Sequence, residues 1–205
     1  MEIKTFASSS DANCYQVSDG KTTILIECGL PFKKLSKIKD FSLVKIDGVI
    51  ISHSHTDHCC ALDNFDNLGI NCYMTEETEE ERNHYKTLNF IKIVKPKKWF
   101  KIGSFDILPF ETEHDCPGSV GYYIYSTETK ENLLFATDTY YIRFKFNKPI
   151  NYYMIECNYD AEILEKNIEL GIIDGCRAKR LKSSHFSLQN VIEFCKAQDL
   201  SVCEK

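Results

Sequence analysis

His53, His55, Asp57 and His58 place four side chains able to hold a transition metal within six residues, in the spacing H-x-H-x-D-H. Neutral imidazole and carboxylate suit zinc, iron or manganese. A metal held there can bring the pKa of bound water near neutral, so hydrolysis is the chemistry this spacing points to. Four fixed positions coincide by chance less often than a shorter motif does. The competing reading is a polar surface turn that happens to carry histidines.

Three of the chain's six histidines lie in this motif, and the others are His84, His114 and His185. His114 stands in Glu113-His114-Asp115, after the apolar run Phe105-Asp106-Ile107-Leu108-Pro109-Phe110. Asp138 follows Leu133-Leu134-Phe135-Ala136. His185 lies in Ser183-Ser184-His185-Phe186-Ser187, just after the basic run Arg177-Ala178-Lys179-Arg180-Leu181-Lys182. That run would draw phosphate by Coulomb attraction, or it is an ordinary solvated loop. His84, among Glu79, Glu80, Glu81 and Arg82, reads as a solvated helix histidine.

The elements that must hold these residues follow from the apolar pattern. Val49-Ile50-Ile51 is β-branched and apolar, so a buried strand stops at His53. Strands are expected over Glu2–Phe6, Asn13–Val17, Thr22–Glu27 and Gly48–Ile51, then near Ile91–Val94, Phe105–Phe110, Gly121–Ser126, Leu133–Ala136 and Tyr152–Glu156. Three strand ends thus deliver metal-type ligands, which suggests one convergent site. Helices are expected over about Ala61–Leu68, Glu76–Lys86, Ala161–Leu170 and Leu188–Ala197, with Ser187 capping the last. Strand-rich halves with helices between and after them suggest a sheet sandwich flanked by helices.

At 205 residues, one domain over 1–205 is the expectation, with enough chain for a proper core. Hydrophobic residues make up 43% and charged residues 27%, the balance of a globular rather than a disordered chain. No apolar run approaches a membrane span and no signal peptide is legible at the start, so a cytoplasmic location is expected. Ten cysteines without a C-x-x-C pair read as buried reduced thiols rather than a zinc ribbon or a disulfide scaffold. Cys59 and Cys60 have packing beside the metal as one reading and direct ligation as the other. A net charge of −5 is not the footprint of a non-specific nucleic-acid binder. Lys95-Pro96-Lys97-Lys98 with Lys101 reads as a solvated hairpin edge.

H-x-H-x-D-H, then a lone histidine at a strand end, then an aspartate after an apolar strand, resembles the metallo-β-lactamase fold over nearly all of the chain. Within it, Ala7–Cys14, Leu25–Leu30, Glu156–Asp160 and Ser184–Ser187 resemble motifs of one subgroup. That subgroup comprises DNA-repair-linked bacterial exonucleases, kin to the tRNA 3′-processing endonucleases. Phage cyclic-nucleotide phosphodiesterases resemble the same group. The resemblance implies an αββα sandwich and two divalent metal ions, Zn²⁺ or Mn²⁺. His53, His55 and His114 would hold one ion, Asp57 and His58 the second, and Asp138 would bridge them. Asp57, Glu156 and His185 are the candidate catalytic residues, the last two as the pair that protonates the leaving oxygen. The implied activity is hydrolysis of a phosphodiester through a metal-bridging hydroxide, on a nucleic acid or nucleotide, in a homodimer. A cyclic-nucleotide phosphodiesterase and a non-catalytic binder of a nucleotide or partner are the alternatives. Three departures bear on this, the least of them Cys60-Ala61 in place of the family's Ile-x-Gly after the motif. Relatives carry one more histidine on a strand after the last helix, and none follows His185 here. The expectation is therefore a fold lacking its last C-terminal strand, or His185 as the missing ligand, or a weak second site. Glu27 also stands where the family has Asp.

Overall fold

The computed structural model describes residues 1–82, 88–146 and 148–204. Its first sheet is built from β1 (Glu2–Ser9), β2 (Ala12–Ser18), β3 (Thr23–Ile26), β4 (Gly48–Ile50), β5 (Cys72–Met74) and β6 (Ile91–Ile93), in that spatial order. The first three strands are antiparallel neighbours and the pairs from β3 onward are parallel. Parallel neighbours need crossovers. These carry α1 (Phe32–Leu35), then α2 (Thr56–Cys59) and α3 (Leu62–Asn67), then α4 (Glu76–Arg82). The second sheet comprises β7 (Phe100–Ile102), β8 (Phe105–Glu111), β9 (Val120–Ser126), β10 (Asn132–Ala136) and β11 (Tyr152–Ile155), antiparallel except for the parallel pair β10–β11. Three helices follow: α5 (Ala161–Glu169), α6 (Gly175–Ser184) and α7 (Leu188–Lys196).

Strand alternation makes the layers. Successive side chains point to opposite faces. Ile24 and Ile26 of β3 enter the core between the sheets with Tyr122, Ile124, Leu133 and Phe135. Leu25, one residue out of phase, packs on the outer face with Leu62 and Phe65 of α3. On the second sheet Tyr123, Leu134 and Ala136 point outward, where Val191 and Phe194 of α7 cover them. The result is the αββα sandwich. Among the described residues no helix is long and apolar enough to cross a membrane.

Most expected elements are present; α1, α2, α6, β5 and β7 stand outside the expected set. β5 and β7 are strands the apolar pattern did not reveal, each three residues long and without the β-branched run that marks the equally short β4 and β6. The run Arg177–Lys182 is helical rather than a loop. α6 buries only Ala178 and Ser184, so it carries no apolar stripe at helical spacing. Its start is set by Asp174, whose carboxylate accepts from the Cys176 and Arg177 amides. The polar helix after β5 is seen as Glu76–Arg82; the rest of its expected span and His84 lie outside the described residues. Among the described residues no cysteine forms a disulfide, and Cys157, Cys176 and Cys203 are exposed rather than buried as expected.

Asp19 ties the sheets together at the end away from the metal motif. In the β2–β3 turn it accepts from the Ser104 hydroxyl (2.6 Å), the Ser126 hydroxyl (2.7 Å) and the Thr22 amide (2.9 Å). Burial opposes its charge, yet these hydroxyls and amides hold the carboxyl below the usual carboxylate range. A depressed native pKa contributes stability that is present above the unfolded value, about 3.9, and is lost as pH falls through the native one. Asp19→Ala is expected to cost about 2–4 kcal/mol near neutral pH, because buried donors lose a charged acceptor. Urea melts at pH 7 and pH 3 should show a smaller cost at pH 3; an equal cost at both would refute the ionic role.

Candidate metal centre

The four-residue motif does not form one continuous helix. β4 ends at Ile50, and the chain bends at Ser52 and Ser54 on the way to His55, which opens α2 at β-region angles. Asp57 and His58 then sit on that single turn. The turn is clamped from β3: the Cys28 amide donates to the His58 carbonyl (2.7 Å), and the Ala61 amide donates to the Cys28 carbonyl (2.8 Å). Gly29 lies so close beneath that a Cβ there would meet the Asp57 carbonyl oxygen at 1.5 Å. Only a residue without a side chain allows this approach.

Side chains from three strand ends converge with the motif. His53 Nε2 lies 3.0 Å from His55 Nδ1, which lies 3.4 Å from His114 Nε2. Asp138 Oδ2 lies 3.4 Å from His53 Nε2, 3.2 Å from His58 Nε2 and 3.9 Å from His114 Nε2. Asp57 Oδ2 lies 3.1 Å from His58 Nε2. Asp138 has φ 47°, in the left-handed region, which Asp enters more readily than most residues. His53, His55, His114 and Asp138 therefore form one ligand group; Asp57, His58 and Asp138 form a second; Asp138, Glu156 and His185 form a third. Asp138 belongs to all three.

The donor set fits a divalent cation. His114 Nδ1–H donates to the Ser184 carbonyl (3.2 Å), which leaves its Nε2 lone pair facing the cluster. His53 uses Nδ1 against the Ser52 hydroxyl (2.8 Å), with Nε2 inward. Burial pushes the His53 imidazole down to about 4 and lowers that of His114, so both stay neutral. His58 is the opposite case. Burial opposes its charge, but Asp138, Asp57 and Glu27 outweigh burial and carry it up to about 12. Asp138 in turn is held far below the usual carboxylate range, chiefly by His53 and His58 against the effect of burial. Three carboxylates around one buried imidazole demand positive charge, as a site for a dication does.

Glu27 reaches this centre from behind. Fully buried, with φ 63°, it accepts from the Ser52 amide (3.1 Å) and places Oε2 3.6 Å from His58 Nδ1. That nitrogen has no hydrogen-bond partner, so Glu27 is the group that faces its proton when Nε2 serves as ligand.

Adjacent parallel strands β10 and β11 bring Asp138 and Glu156 to the same sheet edge. Glu156 Oε2 lies 2.9 Å from His185 Nδ1, and the Thr139 amide donates to Oε1. Burial raises the Glu156 carboxyl. The His185 imidazole is raised against the effect of burial by Glu156 and Asp138. His185 Nδ1 lies 3.9 Å from Asp138 Oδ1 and does not join the Asp57–His58 group.

An open cleft of about 770 Å³ runs from His55, Asp57 and Asp138 past His185 to Arg177 and Arg180. Two contributors stand outside the expected ligand set. Asn13, within the polar opening Ala7–Cys14, extends its amide to His58 Nε2 (3.2 Å) and Asp57 Oδ2 (3.4 Å). Gly29 is the other; its signal is a glycine in the turn that follows β3. Cys59 buttresses the motif, its thiol donating to the Ser54 and His55 carbonyls, and neither it nor Cys60 enters a ligand group.

Comparison with known proteins agrees with this geometry. A family model for the metallo-beta-lactamase superfamily matches residues 10–165. Exodeoxyribonuclease WalJ of Streptococcus pneumoniae is 27% identical over 170 residues, covering 77% of this chain and 62% of that protein. Exodeoxyribonuclease YycJ of Bacillus anthracis is 25% identical over 176 residues, covering 80% and 65%. The chain thus spans less than two thirds of the length of these relatives. Among solved structures, the metallo-beta-lactamase fold protein YhfI from Bacillus subtilis superposes with a TM-score of 0.69 at 20% identity, over 94% of this chain and 77% of that one.

Proposed function

The chain belongs to the metallo-β-lactamase superfamily, and from that premise we propose that it is a metal-dependent phosphodiesterase acting on nucleic acid. His53, His55, His114 and Asp138 would hold one divalent cation, and Asp57, His58 and Asp138 a second, as Zn²⁺ or Mn²⁺. Such a pair, when bound, supplies water deprotonated near neutral pH and offsets the charge on phosphorus and on the departing oxygen.

The observation that carries the reading is the Glu156–His185 pair beside Asp138. A departing alkoxide needs a proton. Glu156 holds the His185 ring through Nδ1, keeps it protonated, and leaves Nε2 to give that proton at the cleft wall. The Thr139 amide fixes the other Glu156 oxygen, so the donor is set relative to the adjacent Asp138. Asn13 steadies Asp57 and His58 from the opposite side. The exodeoxyribonuclease names of the relatives support a nucleic acid over a cyclic nucleotide.

The test is metal content per chain together with hydrolysis of labelled DNA and RNA oligonucleotides, a cyclic nucleotide and bis-p-nitrophenyl phosphate, with Zn²⁺ or Mn²⁺. Two metals per chain with DNA turnover is the expected result. A metal-loaded protein that hydrolyses no ester would overturn the catalytic reading in favour of a binder, and preferential turnover of the cyclic nucleotide would replace the substrate class. His185→Ala is expected to lower kcat on DNA by about 10²–10⁴. The loss on bis-p-nitrophenyl phosphate should be far smaller, because p-nitrophenolate leaves without a proton. Equal losses on both would make His185 a ligand rather than a donor.

A further inference from the structure

We propose that Arg177 and Arg180 form a subsite for backbone phosphates flanking the scissile one, so that the substrate is an oligonucleotide rather than a single diester. The inference rests on the phosphodiesterase reading and specifies its substrate. α6 carries four cations between Arg177 and Lys182, and they are not equivalent. Lys182 turns to Glu165 of α5, and Lys179 does not line the cleft. Arg177 and Arg180, one helical turn apart, both line it.

Arg180 is held in place. Its Nε donates to Asp115 Oδ2 at 2.9 Å, and Asp115 Oδ1 lies 3.3 Å from His114 Nε2. Asp115 is the next residue after His114, so this bond places the guanidinium beside the candidate metal centre. The bond uses Nε, and among the described residues both terminal amino groups are uncommitted, the fork that matches phosphate. Arg177 has no ion-pair partner among the described residues. In a chain of net charge −5, two arginines on one wall of the cleft are a local feature rather than a general surface property.

The spacing suits a strand. α6 ends beside His185. Arg180 and Arg177 lie five and eight residues earlier, which is about 7.5 and 12 Å along the axis at about 1.5 Å per residue. A stacked strand advances about 3.4 Å per phosphate, so these side chains meet phosphates about two to four nucleotides from the scissile bond. Ser8 and Ser9 at the end of β1, with Ser10, also line the cleft and add hydroxyls to it.

The experiment measures anisotropy of a fluorescein-labelled single-stranded DNA 12-mer, in EDTA, as a function of salt, for wild type, Arg177→Ala, Arg177→Ala/Arg180→Ala and Lys179→Ala. It also compares kcat/KM on that DNA with kcat/KM on bis-p-nitrophenyl phosphate. Each cleft arginine removed is expected to make the slope of log Kobs against log salt shallower by about 0.7. In the double variant the DNA-to-bis-p-nitrophenyl-phosphate ratio is expected to fall about tenfold, and in Lys179→Ala by less than twofold. An unchanged slope, no binding by wild type, or a Lys179→Ala effect equal to that of Arg177→Ala would overturn the subsite. Wild-type protein that hydrolyses neither ester would instead overturn the phosphodiesterase reading, while the binding slopes still decide the subsite.

Discussion

Asp138→Ala is expected to remove turnover on every phosphodiester by at least on the order of 10³-fold and to reduce metal content per chain by more than half. The reason is its position. Asp138 is the one side chain in all three ligand groups, with Oδ2 within 3.4 Å of both His53 and His58. Removing a group that merely orients a ligand costs about 10–100-fold in metal affinity or activity, and Asp138 is placed as a ligand itself. Its loss also leaves His58 with fewer negative neighbours inside the protein, so both candidate sites weaken together. Asp138→Asn retains the shape but not the charge, and should fall in between on metal affinity. Elemental analysis, kinetics and circular dichroism on the same preparation check this. A folded Asp138→Ala protein with full metal content and turnover would remove Asp138 from the centre.

Gly29→Ala is expected to damage the centre without touching a ligand. A methyl group at that position would lie 1.5 Å from the Asp57 carbonyl oxygen and within 2.8 Å of the His58 nitrogen, so α2 must move. Overpacking of this kind costs about 1–3 kcal/mol, occasionally more. Misplacement of catalytic groups by about 1 Å can cost 10²-fold in rate. The expected result is a Tm lower by several degrees with activity and metal affinity down about 100-fold. Gly175→Ala is the control: nothing lies within 4 Å of a Cβ there, and no positive φ applies. Gly175 starts α6, so alanine should leave stability unchanged or raise it slightly. Differential scanning fluorimetry with and without added Zn²⁺ or Mn²⁺ reads both variants, and equal behaviour of the two would refute the clamp.

The sequence carried the ligand types because they are written locally. Four side chains in six residues need no knowledge of the rest of the chain, and the apolar runs before His53, His114 and Asp138 each end where a strand must stop. Strand-rich halves with helices between and after them also implied two sheets with helices outside, and uninterrupted apolar runs such as Leu133–Ala136 fit strands buried on both faces. α6 escaped the same reading, since a helix that buries almost nothing leaves no stripe in the residue pattern. β5 and β7 escaped it because Cys72–Met74 and Phe100–Ile102 lack the β-branched run that marks the equally short β4 and β6.

Tertiary structure decided what lies far apart along the chain. Asp138 could be placed at a strand end from its neighbours, but its approach to His53, His58, His114 and Glu156 depends on how two sheets stack. Glu156 and His185 are 29 positions apart and meet because β11 pairs in parallel with β10 while α6 returns across the same edge. The contact of Gly29 with α2, the amide of Asn13 and the link from Asp115 to Arg180 are likewise products of closure. The physical reason is one of range. Residue type and local period act over a few positions, whereas the shared carboxylate, the proton-donor pair and the arginine wall exist only once the cost in chain entropy of bringing distant segments together has been met by burial of the core.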